Sequence, residues 1–247
     1  MTDLSNKVAI VTGSTSGIGE AIARMLSKYN VSVVVNSISS VEKGNALANE
    51  LENSIYCQAN IGNEADCKKL IETTIDKYGR LDFLINNAGM PGRLPPIIGL
   101  EELSNEIFSE SLAINVVGTW CLTRYAIPYL KKSGDGVIIN ITSCAGDNPA
   151  AVSSAIPYAV SKAAINYLTK LLAKELGPEI RVNAIAPGLI ITPRTKDFTV
   201  AIDKFEKRTP LKRTGEPNDI AELAVALIKS NYVNGEIVVV DGGFSTC

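Results

Sequence analysis

A tyrosine and a lysine four residues apart, Tyr158 and Lys162, are the residues of this 247-residue chain whose types and spacing could most directly do chemistry. The chain contains no histidine, so acid/base chemistry must come from carboxylate, lysine, tyrosine or cysteine side chains. Residues 156–177 have an amphipathic helical pattern with Pro157 in the first turn, and positions i and i+4 of a helix share a face. The pair could therefore act on one ligand, although an ordinary exposed Tyr/Lys pair has the same spacing.

A serine occupies a position suited to meeting the same ligand. The run GVIINIT, residues 136–142, is apolar and β-branched and predicts a buried strand, and Ser143 follows it directly. In open α/β sheets, ligand-facing residues emerge just beyond the carboxyl ends of the strands. We therefore take Ser143 as a candidate site residue.

A second ligand signal is the glycine-rich stretch KVAIVTGSTSGIGEAIAR, residues 7–24. Its apolar start predicts a buried strand and its end predicts a helix, so Gly13, Gly17 and Gly19 fall at the turn between them. A helix N-terminus with unpaired N–H groups favours a phosphate. The phosphate-loop pattern G-x4-G-K-S/T is excluded because Glu20 stands where its lysine is needed. The dinucleotide fingerprint G-x-G-x-x-G fits only loosely, and a glycine-rich turn without a ligand is the alternative.

The elements that must position these residues alternate between strands and helices. Such alternation predicts a parallel sheet joined by right-handed crossovers, with ligands at the switch point of the sheet. We therefore predict a single domain over residues 1–247, an α/β fold with a doubly wound seven-stranded parallel sheet and helices on both faces. The predicted strands are 8–11, 31–35, 54–57, 81–86, 136–142, 181–187 and 236–242, and helical patterns cover 41–52, 64–79, 101–132 and 156–177.

Composition narrows the classes of partner. The net charge of −2, the pI near 5.4 and the lack of a basic cluster interleaved with aromatics argue against nucleic acid. No apolar run approaches the length of a transmembrane helix and no signal peptide precedes the first predicted strand, so we expect no membrane association and a cytoplasmic location. The five cysteines include no C-x-x-C pair and predict neither a disulfide framework nor a metal site.

Six motifs follow one another along the chain: T-G-x3-G-I-G at 12–19, NNAG at 86–89, Asn115, Ser143, Y-x3-K at 158–162 and PGLIIT at 187–192. With these motifs the chain resembles the short-chain dehydrogenase/reductase family from Lys7 to Gly243. The resemblance implies a Rossmann-type fold and an NAD(P)-dependent oxidoreductase that interconverts a carbonyl and a secondary alcohol by hydride transfer. A dinucleotide-binding regulator without catalysis is the alternative, and such a protein would need neither the tyrosine nor the lysine.

The resemblance also implies a catalytic role for four residues. Tyr158 would be the general acid/base, and Lys162 its electrostatic partner and a donor to the nicotinamide ribose. Ser143 would donate to the substrate oxygen, and Asn115 would hold a relay water. A free tyrosine titrates near ~10, so we expect Lys162 and an oxidised nicotinamide to lower the pKa of Tyr158 by roughly two to three units.

The cofactor residues implied by the resemblance come from five segments. Asn60 stands where the family usually has an aspartate facing adenine, and Asn87 is equally well explained as a structural tie between strands. The full set is Gly13, Ser14, Ser16, Gly17, Ile18 and Gly19 for the pyrophosphate side, Asn36 and Ser37 after the second strand, Asn60 and Ile61 after the third, Asn87, Ala88 and Gly89 along the adenosine ribose, and Pro187, Gly188, Ile190 and Thr192 over the nicotinamide, with Tyr158 and Lys162.

The end of the second predicted strand bears on the choice of dinucleotide. An NAD-preferring site places an acid there, which accepts the ribose hydroxyls and repels a 2′-phosphate. This strand ends VVVNSISS and contains no acid, although Ser16 and Ile38 stand where a basic residue would be expected for NADP. We therefore expect NADP(H) to be favoured over NAD(H), held by hydroxyls and backbone N–H groups.

The sequence says less about the substrate and the oligomeric state than about the cofactor. Ser143 and Tyr158 are 15 residues apart, more than is usual for the family, so we expect loop 147–157 to remodel the substrate pocket together with 193–212. The substrate would be a small-molecule carbonyl or alcohol, with a 3-ketoacyl carrier protein as the alternative. Relatives that dock the carrier protein present arginines where this chain has Pro128 and Glu179. The family also implies a homotetramer with the last strand and two long helices at the contacts.

Overall fold

Seven parallel strands form one sheet in the computed structural model, which describes residues 3–90, 100–149 and 155–246. The strand order is β3-β2-β1-β4-β5-β6-β7, and each neighbouring pair is parallel. The predicted doubly wound sheet is therefore confirmed. The strands are β1 Val8–Val11, β2 Ser32–Ser37, β3 Ile55–Gln58, β4 Phe83–Asn86, β5 Gly136–Ile141, β6 Ile180–Pro187 and β7 Ile237–Val240.

Helices lie on both faces of the sheet. The predicted helix over 101–132 begins at Asn105, where the Ser104 side chain accepts a hydrogen bond from a backbone N–H of the first turn, and passes through a π-helical turn at Ala113–Gly118. Two helices that were not predicted lie near the C-terminus. The α-helices are α1 Gly17–Ser27, α2 Val41–Glu50, α3 Glu64–Tyr78, α4 Asn105–Leu112, α5 Thr119–Lys132, α6 Ile156–Leu176, α7 Thr199–Arg208 and α8 Pro217–Lys229.

The core consists of two apolar layers, one on each side of the sheet. Ala9 and Val11 of β1 belong to the layer that includes α1 and α8, whereas Ile10 belongs to the layer that includes α3 and α5. Because successive residues of a strand face opposite sides, a strand covered on both faces must be apolar throughout. All of β1 is buried, as the run VAIV predicts.

A buried polar network ties the central strands to the helices below the site. Asn86 at the end of β4 donates to Asn140 of β5 at 2.9 Å and to Thr123 of α5 at 3.2 Å. Asn140 in turn donates to Thr169 of α6 at 2.9 Å. Satisfied networks of this kind are stronger in a low-dielectric interior and fix the register of the elements they join. The network therefore holds β4, β5, α5 and α6 in one arrangement.

The switch point of the sheet lies between β1 and β4, because the chain leaves β1 for β2 on one side and returns from β3 to β4 on the other. In sheets of this kind, ligands usually bind in a crevice at the carboxyl ends of the strands beside the switch point. Within the three described ranges, no helix combines the length and apolar character needed to span a bilayer.

Candidate active site

Tyr158 and Lys162 lie in the first turns of α6, on the face directed at the sheet. Pro157 occupies the first turn and Gly177 ends the helix, as predicted. Lys162 is only 6 % exposed, and its Nζ donates to the backbone oxygen of Ile141 at 2.9 Å. The same Nζ lies 5.5 Å from the centre of the Tyr158 ring. Lys162 is thus buried and Tyr158 half-buried, unlike an ordinary exposed Tyr/Lys pair.

Ser143 meets Tyr158 just beyond the carboxyl end of β5. Its extended backbone caps a short 3₁₀ turn, and its Oγ accepts a hydrogen bond from the N–H of Ala145 at 3.2 Å. The Ser143 side chain also lies close enough to the Tyr158 phenol to favour its charged form. Two hydroxyl groups therefore converge where the sequence placed the substrate oxygen.

Burial dominates the electrostatics of the tyrosine and the lysine. It raises the pKa of Tyr158, because the phenolate would lose its hydration, and the hydrogen bond from Ser143 and the positive charge of Arg194 oppose this only in part. Burial also lowers the pKa of Lys162 to about 8. The expected lowering of the Tyr158 pKa is thus not found in the protein alone. Tyr158 is protonated at neutral pH.

Asn115 lies in the π-helical turn, and its side chain is hydrogen-bonded to Met90 and to Ser161 of α6. Its Oδ1 accepts from the N–H of Met90 at 2.7 Å, and its Nδ2 donates to the carbonyl of Met90 and to Ser161 Oγ, both at 2.9 Å. An amide offers two donors and two acceptor lone pairs, so one lone pair is left for a water molecule. The π turn places Asn115 where it can reach both Met90 and α6.

Gly89 separates Asn115 from Lys162. A Cβ atom on Gly89 would lie 3.1 Å from Asn115 Oδ1 and 3.4 Å from Lys162 Nζ. The structure therefore brings the sequence-predicted residues Asn115, Tyr158, Lys162 and Gly89 into one cluster, with Ser143 at its edge.

The glycine turn after β1 packs closely against the turn after β4. Gly13 and Gly17 have φ values of +62° and +58°, which residues with a Cβ rarely adopt. A Cβ on Gly19 would lie 2.5 Å from Asn87 Nδ2 and 2.5 Å from the carbonyl oxygen of Gly13. The glycines are thus required in part by packing within the protein.

The N-terminus of α1 remains open beside this turn. Ser16 is exposed at the N-cap position with an extended backbone, and its side chain makes no capping hydrogen bond within the described residues. The first N–H groups of a helix have no intrahelical partner, so those near Gly17 and Ile18 are available to an anion. This cradle fits the pyrophosphate of a dinucleotide.

Thr12 ties the two turns together, and sequence reasoning missed it. Its Oγ1 accepts from the N–H groups of Asn87 at 3.0 Å and Ala88 at 2.9 Å. Asn87 Nδ2 donates in return to the carbonyls of Thr12 at 2.8 Å and Gly13 at 3.1 Å. Asn87 is therefore a structural tie, one of its two expected roles. A hydroxyl residue directly before the first glycine was the available signal.

Two predicted cofactor residues, Ser14 in the turn after β1 and Asn36 near the end of β2, direct their side chains into the protein. Ser14 is buried, donates to the Val11 carbonyl at 2.7 Å and accepts from the N–H of Asn36 at 2.9 Å. The Asn36 amide donates to the carbonyls of Cys57 and Ala59, both at 3.1 Å, and its Oδ1 accepts from the Gly13 N–H at 3.3 Å. The Ser14 N–H also donates to the Asn36 carbonyl at 2.9 Å. These hydrogen bonds join the glycine turn to β2 and fix its shape.

Asn60 and Ile61 form the turn between β3 and α3. The N–H of Asn60 donates to Asp66 at 2.8 Å, and its Oδ1 accepts from the Gly62 N–H at 3.0 Å. The Ile61 side chain is buried in the core, and its carbonyl accepts from Cys67 at 3.2 Å. Like Asn36, these residues shape the rim of the crevice from within the protein.

The segment PGLIIT reaches back to the glycine turn. Gly188 donates to the Val240 carbonyl at 2.9 Å directly after Pro187 ends β6, and the buried Ile190 forms a bridge to Gly215. A Cβ on Gly17 would lie 3.0 Å from Thr192 Cγ2, so Thr192 covers the start of α1. The segment assigned to the nicotinamide thus contacts the segment assigned to the pyrophosphate.

Ser161 is a second residue that sequence reasoning missed. It is buried between the catalytic candidates, accepts from Asn115 Nδ2 at 2.9 Å and donates to the carbonyl of Tyr158 at 2.7 Å. The sequence signal was a polar residue on the buried face of an amphipathic helix. The predicted wall of the substrate pocket, loop 147–157, lies partly outside the described residues.

Comparisons with known proteins agree with this geometry. Residues 13–245 match the family described as enoyl-(acyl carrier protein) reductase. The chain is 45% identical over 239 residues to a protein of Streptomyces violaceoruber named granaticin polyketide synthase putative ketoacyl reductase 2. The alignment covers 96% of this chain and 95% of that protein. The chain is 33% identical over 252 residues to the 3-oxoacyl-(acyl-carrier-protein) reductase of Thermotoga maritima, covering 97% and 98%.

A solved structure supports the same conclusion. A 7α-hydroxysteroid dehydrogenase complexed with NADH and 7-oxo glycochenodeoxycholic acid superposes with a TM-score of 0.90 at 34% identity, covering 97% of this chain and 94% of that one. The fold, the ordered motifs and these relatives agree, and the chain is therefore an oxidoreductase that belongs to the short-chain dehydrogenase/reductase family.

Proposed function

We propose that the chain interconverts a carbonyl and a secondary alcohol with a nicotinamide dinucleotide, and that Tyr158 is the general acid/base. The observation that carries this proposal is that Tyr158 and Ser143 lie together at the end of β5, beside the buried Lys162, whose Nζ is 5.5 Å from the centre of the Tyr158 ring. A substrate oxygen placed against this pair would meet two hydroxyl donors. A phenol within hydrogen-bond reach of the reacting oxygen is what proton transfer requires.

The dinucleotide would supply or accept the hydride, and the protein's own residues would handle the proton. Because burial raises the pKa of Tyr158, its hydroxyl carries a proton at neutral pH and can give it to the forming alcohol oxygen. The Lys162 amine is protonated below about pH 8, and its positive charge would stabilise the phenolate left behind. Ser143 would orient the oxygen, and the free lone pair of Asn115 would hold a water that returns a proton.

The dinucleotide would lie across the carboxyl ends of the strands. Its pyrophosphate would meet the open N-terminus of α1, where the Ser16 side chain leaves the first N–H groups free. Its nicotinamide end would lie near Gly188 and Thr192, and Lys162 would exchange its bond to the Ile141 carbonyl for one to the ribose. The remaining predicted residues would contribute backbone groups or shape the cradle.

We also propose a preference for NADP(H) over NAD(H). The support is the hydroxyl of Ser37 at the end of β2, where an NAD-preferring site would hold a carboxylate. Without that carboxylate, a 2′-phosphate is not repelled.

A 3-ketoacyl group on a carrier protein is a second candidate substrate. It is favoured by two relatives whose names describe ketoacyl or oxoacyl reductases. Absorbance assays with NADPH and NADH should compare a β-ketoacyl thioester with hydroxysteroids, simple ketones and sugars. Turnover of the thioester alone would select the second candidate.

The central test is Tyr158→Phe, which removes one hydroxyl and keeps the ring. We expect kcat to fall by roughly 10² to 10⁴-fold, the usual contribution of a general acid/base, while the Kd of the dinucleotide changes little. The matched control is Tyr78→Phe. The Tyr78 hydroxyl donates to the carbonyl of Asn53, which lies before the amino end of β3, at the edge of the sheet opposite the site. A Tyr158→Phe variant that keeps more than about a tenth of kcat would show that the assigned role is wrong. Such a result would favour another acid/base, and a wild type that binds dinucleotide but turns over no substrate would favour a regulator.

We further propose a homotetramer in the cytoplasm. Exposed apolar residues lie on the two long helices and the last strand, including Trp120 on α5, Tyr167 and Leu171 on α6, and Val239 on β7. Closed symmetry makes such self-complementary patches common.

The free thiols of Cys57, Cys67, Cys121 and Cys144 are in keeping with a reducing compartment. A single domain over 1–247 stays a prediction.

A further inference from the structure

The turn that carries Ser143 is packed directly on α6. It begins at Ser143, just beyond β5, and the N–H of Gly146 donates to the Ser143 carbonyl at 3.0 Å. A Cβ on Gly146 would lie 2.9 Å from the backbone nitrogen of Ala163 and 3.0 Å from the carbonyl carbon of Lys162. Only a residue without a side chain fits against the helix there. The backbone that follows Ser143 thus contacts the helix that carries Tyr158 and Lys162.

An asparagine of α6 holds the end of this turn. Asn166 lies one helical turn after Lys162 on the same face, and it is 5 % exposed. Its Nδ2 donates to Asp147 Oδ2 at 3.1 Å. Asp147 is exposed and directly follows Gly146. The bond therefore joins the buried face of α6 to the first residue of loop 147–157, four residues after Ser143.

The stability of the fold does not explain the amide of Asn166. Its Oδ1 is buried and has no hydrogen-bond partner in the part of the chain that the structure describes. A buried acceptor without a partner costs free energy, whereas an apolar side chain of similar shape does not. Asp147 is exposed, so water can take the place of the amide on its side. Asn166→Leu should therefore leave the fold at least as stable, and the amide points to a role in the site.

Another hydrogen bond between the same two segments is one that dinucleotide binding would break. Lys162 Nζ donates to the carbonyl of Ile141, two residues before Ser143. In the proposed function, this amine exchanges that bond for one to the ribose. The bond from Asn166 to Asp147 uses no group that is assigned to the dinucleotide, so it remains when the Lys162 bond is lost.

We propose that Asn166 is a positioning residue for Ser143, which it holds on α6 through Asp147 while dinucleotide and substrate are bound. The Ser143 hydroxyl then stays beside Tyr158, where both can reach one substrate oxygen. Because hydrogen bonds weaken steeply as their geometry worsens, a small displacement of the turn would weaken the contact from Ser143. The inference rests on the proposed function, which gives Ser143 its role.

The test measures kcat/KM and Tm for the wild type, Asn166→Leu and Asp147→Ala, with the carbonyl substrate that the absorbance assays select. We expect kcat/KM to fall about three- to tenfold in both variants, the range for one weakened hydrogen bond to the reacting oxygen. Tm should stay the same or rise in Asn166→Leu. Because Asp147 is exposed, Asp147→Ala removes the same bond without a change inside the protein.

The matched control is Asn234→Leu, which removes an amide bound to the other end of the same helix. Asn234 Nδ2 donates to the Ala173 carbonyl of α6 at 3.0 Å, and its Oδ1 accepts from the Val182 N–H at 2.9 Å. This variant should lower Tm and leave kcat/KM within about twofold of the wild type, because neither bond lies near the site.

A double-mutant cycle with Ser143→Ala separates positioning from a general disturbance of α6. If Asn166 acts through Ser143, Asn166→Leu should lower kcat/KM no further when Ser143→Ala is already present. Equal falls with and without Ser143→Ala, or an Asn166→Leu variant within about twofold of the wild type, overturn the inference while the proposed function stands. A Ser143→Ala variant with the kcat/KM of the wild type overturns the proposed role of Ser143, and the inference with it.

Discussion

At the scale of single residues, the chemistry of the site depends on how burial changes two ordinary side chains. Tyr158 and Lys162 are close together, yet desolvation raises the pKa of the phenol and lowers that of the amine. In both cases the low-dielectric surroundings disfavour the charged form. The protein without nucleotide therefore keeps a proton on Tyr158, which suits a donor in carbonyl reduction.

The buried lysine makes stability depend on pH. Its amine loses a proton near pH 8 in the folded protein but near 10.5 in the unfolded chain, so between these values the unfolded state binds more protons. The free energy of unfolding should rise with pH across that window, by at most about 3 kcal/mol. Urea unfolding of the wild type and of Lys162→Met measures this, because methionine does not titrate. Stability curves that stay parallel from pH 8 to pH 10.5 would contradict the prediction.

A second residue-scale prediction concerns Ser37→Asp. The carboxylate would accept from the ribose hydroxyls, with the Tyr56 hydroxyl beside it, and would repel a 2′-phosphate, so preference should move toward NADH. Titrations of NADPH and NADH give the Kd ratio for this variant and for Ser37→Asn, the neutral control of the same shape, which should shift less. A wild type that already binds NADH tenfold more tightly than NADPH, a difference of about 1.4 kcal/mol, would refute the preference for NADP(H).

At the scale of elements, the crevice depends on the tie between the turns that follow β1 and β4. These strands are neighbours in the sheet but are separated by more than 70 residues of chain. Thr12 accepts from two backbone N–H groups of the second turn: that of Ala88, which would otherwise lie unpaired, and that of Asn87, which also donates to the Ile85 carbonyl at 3.1 Å. The position of the glycine turn is therefore set by a contact that no local pattern contains.

Thr12→Val should break this tie while keeping the side-chain shape. We expect a loss of about 1 to 3 kcal/mol in the free energy of unfolding, because the Ala88 N–H loses its acceptor and the Asn87 N–H keeps only the Ile85 carbonyl. Dinucleotide binding should also weaken. The matched control is Thr74→Val in α3, where a buried hydroxyl donates only to the Leu70 carbonyl of its own helix and should cost less. Equal losses for the two variants in urea unfolding would argue against the tie.

At the scale of the whole molecule, the exposed apolar side chains of α6 predict assembly. Tyr167 is 65 % exposed and Leu171 lies one turn further along the same face. Light scattering at micromolar concentration should give the mass of four chains for the wild type and a smaller mass for Tyr167→Glu combined with Leu171→Glu, because charge is costly in an apolar contact. Tyr232→Glu, at a residue 98 % exposed, is the control and should stay tetrameric. A monomeric wild type would rule the tetramer out.

The strands could be predicted because short, continuous apolar runs such as VAIV are typical of strands buried on both faces of a sheet. Helix α7 could not, since Phe205 is its only buried residue and gives no periodicity. Helix α8 carries a detectable pattern, with Ile220, Ala224 and Leu227 buried on one face, but it was not predicted.

The sequence by itself determined which residue types the site contains. Without histidine, the spacing of Tyr158 and Lys162 and the order of the motifs were enough to predict the catalytic candidates and the edge of the sheet where they lie. Tertiary structure decided their protonation and their partners. The pKa values of Tyr158 and Lys162 follow from burial, and the inward roles of Ser14, Asn36 and Asn87 follow from contacts between distant segments. Burial and long-range hydrogen bonds depend on all the elements packed around a residue, which no local stretch of sequence specifies.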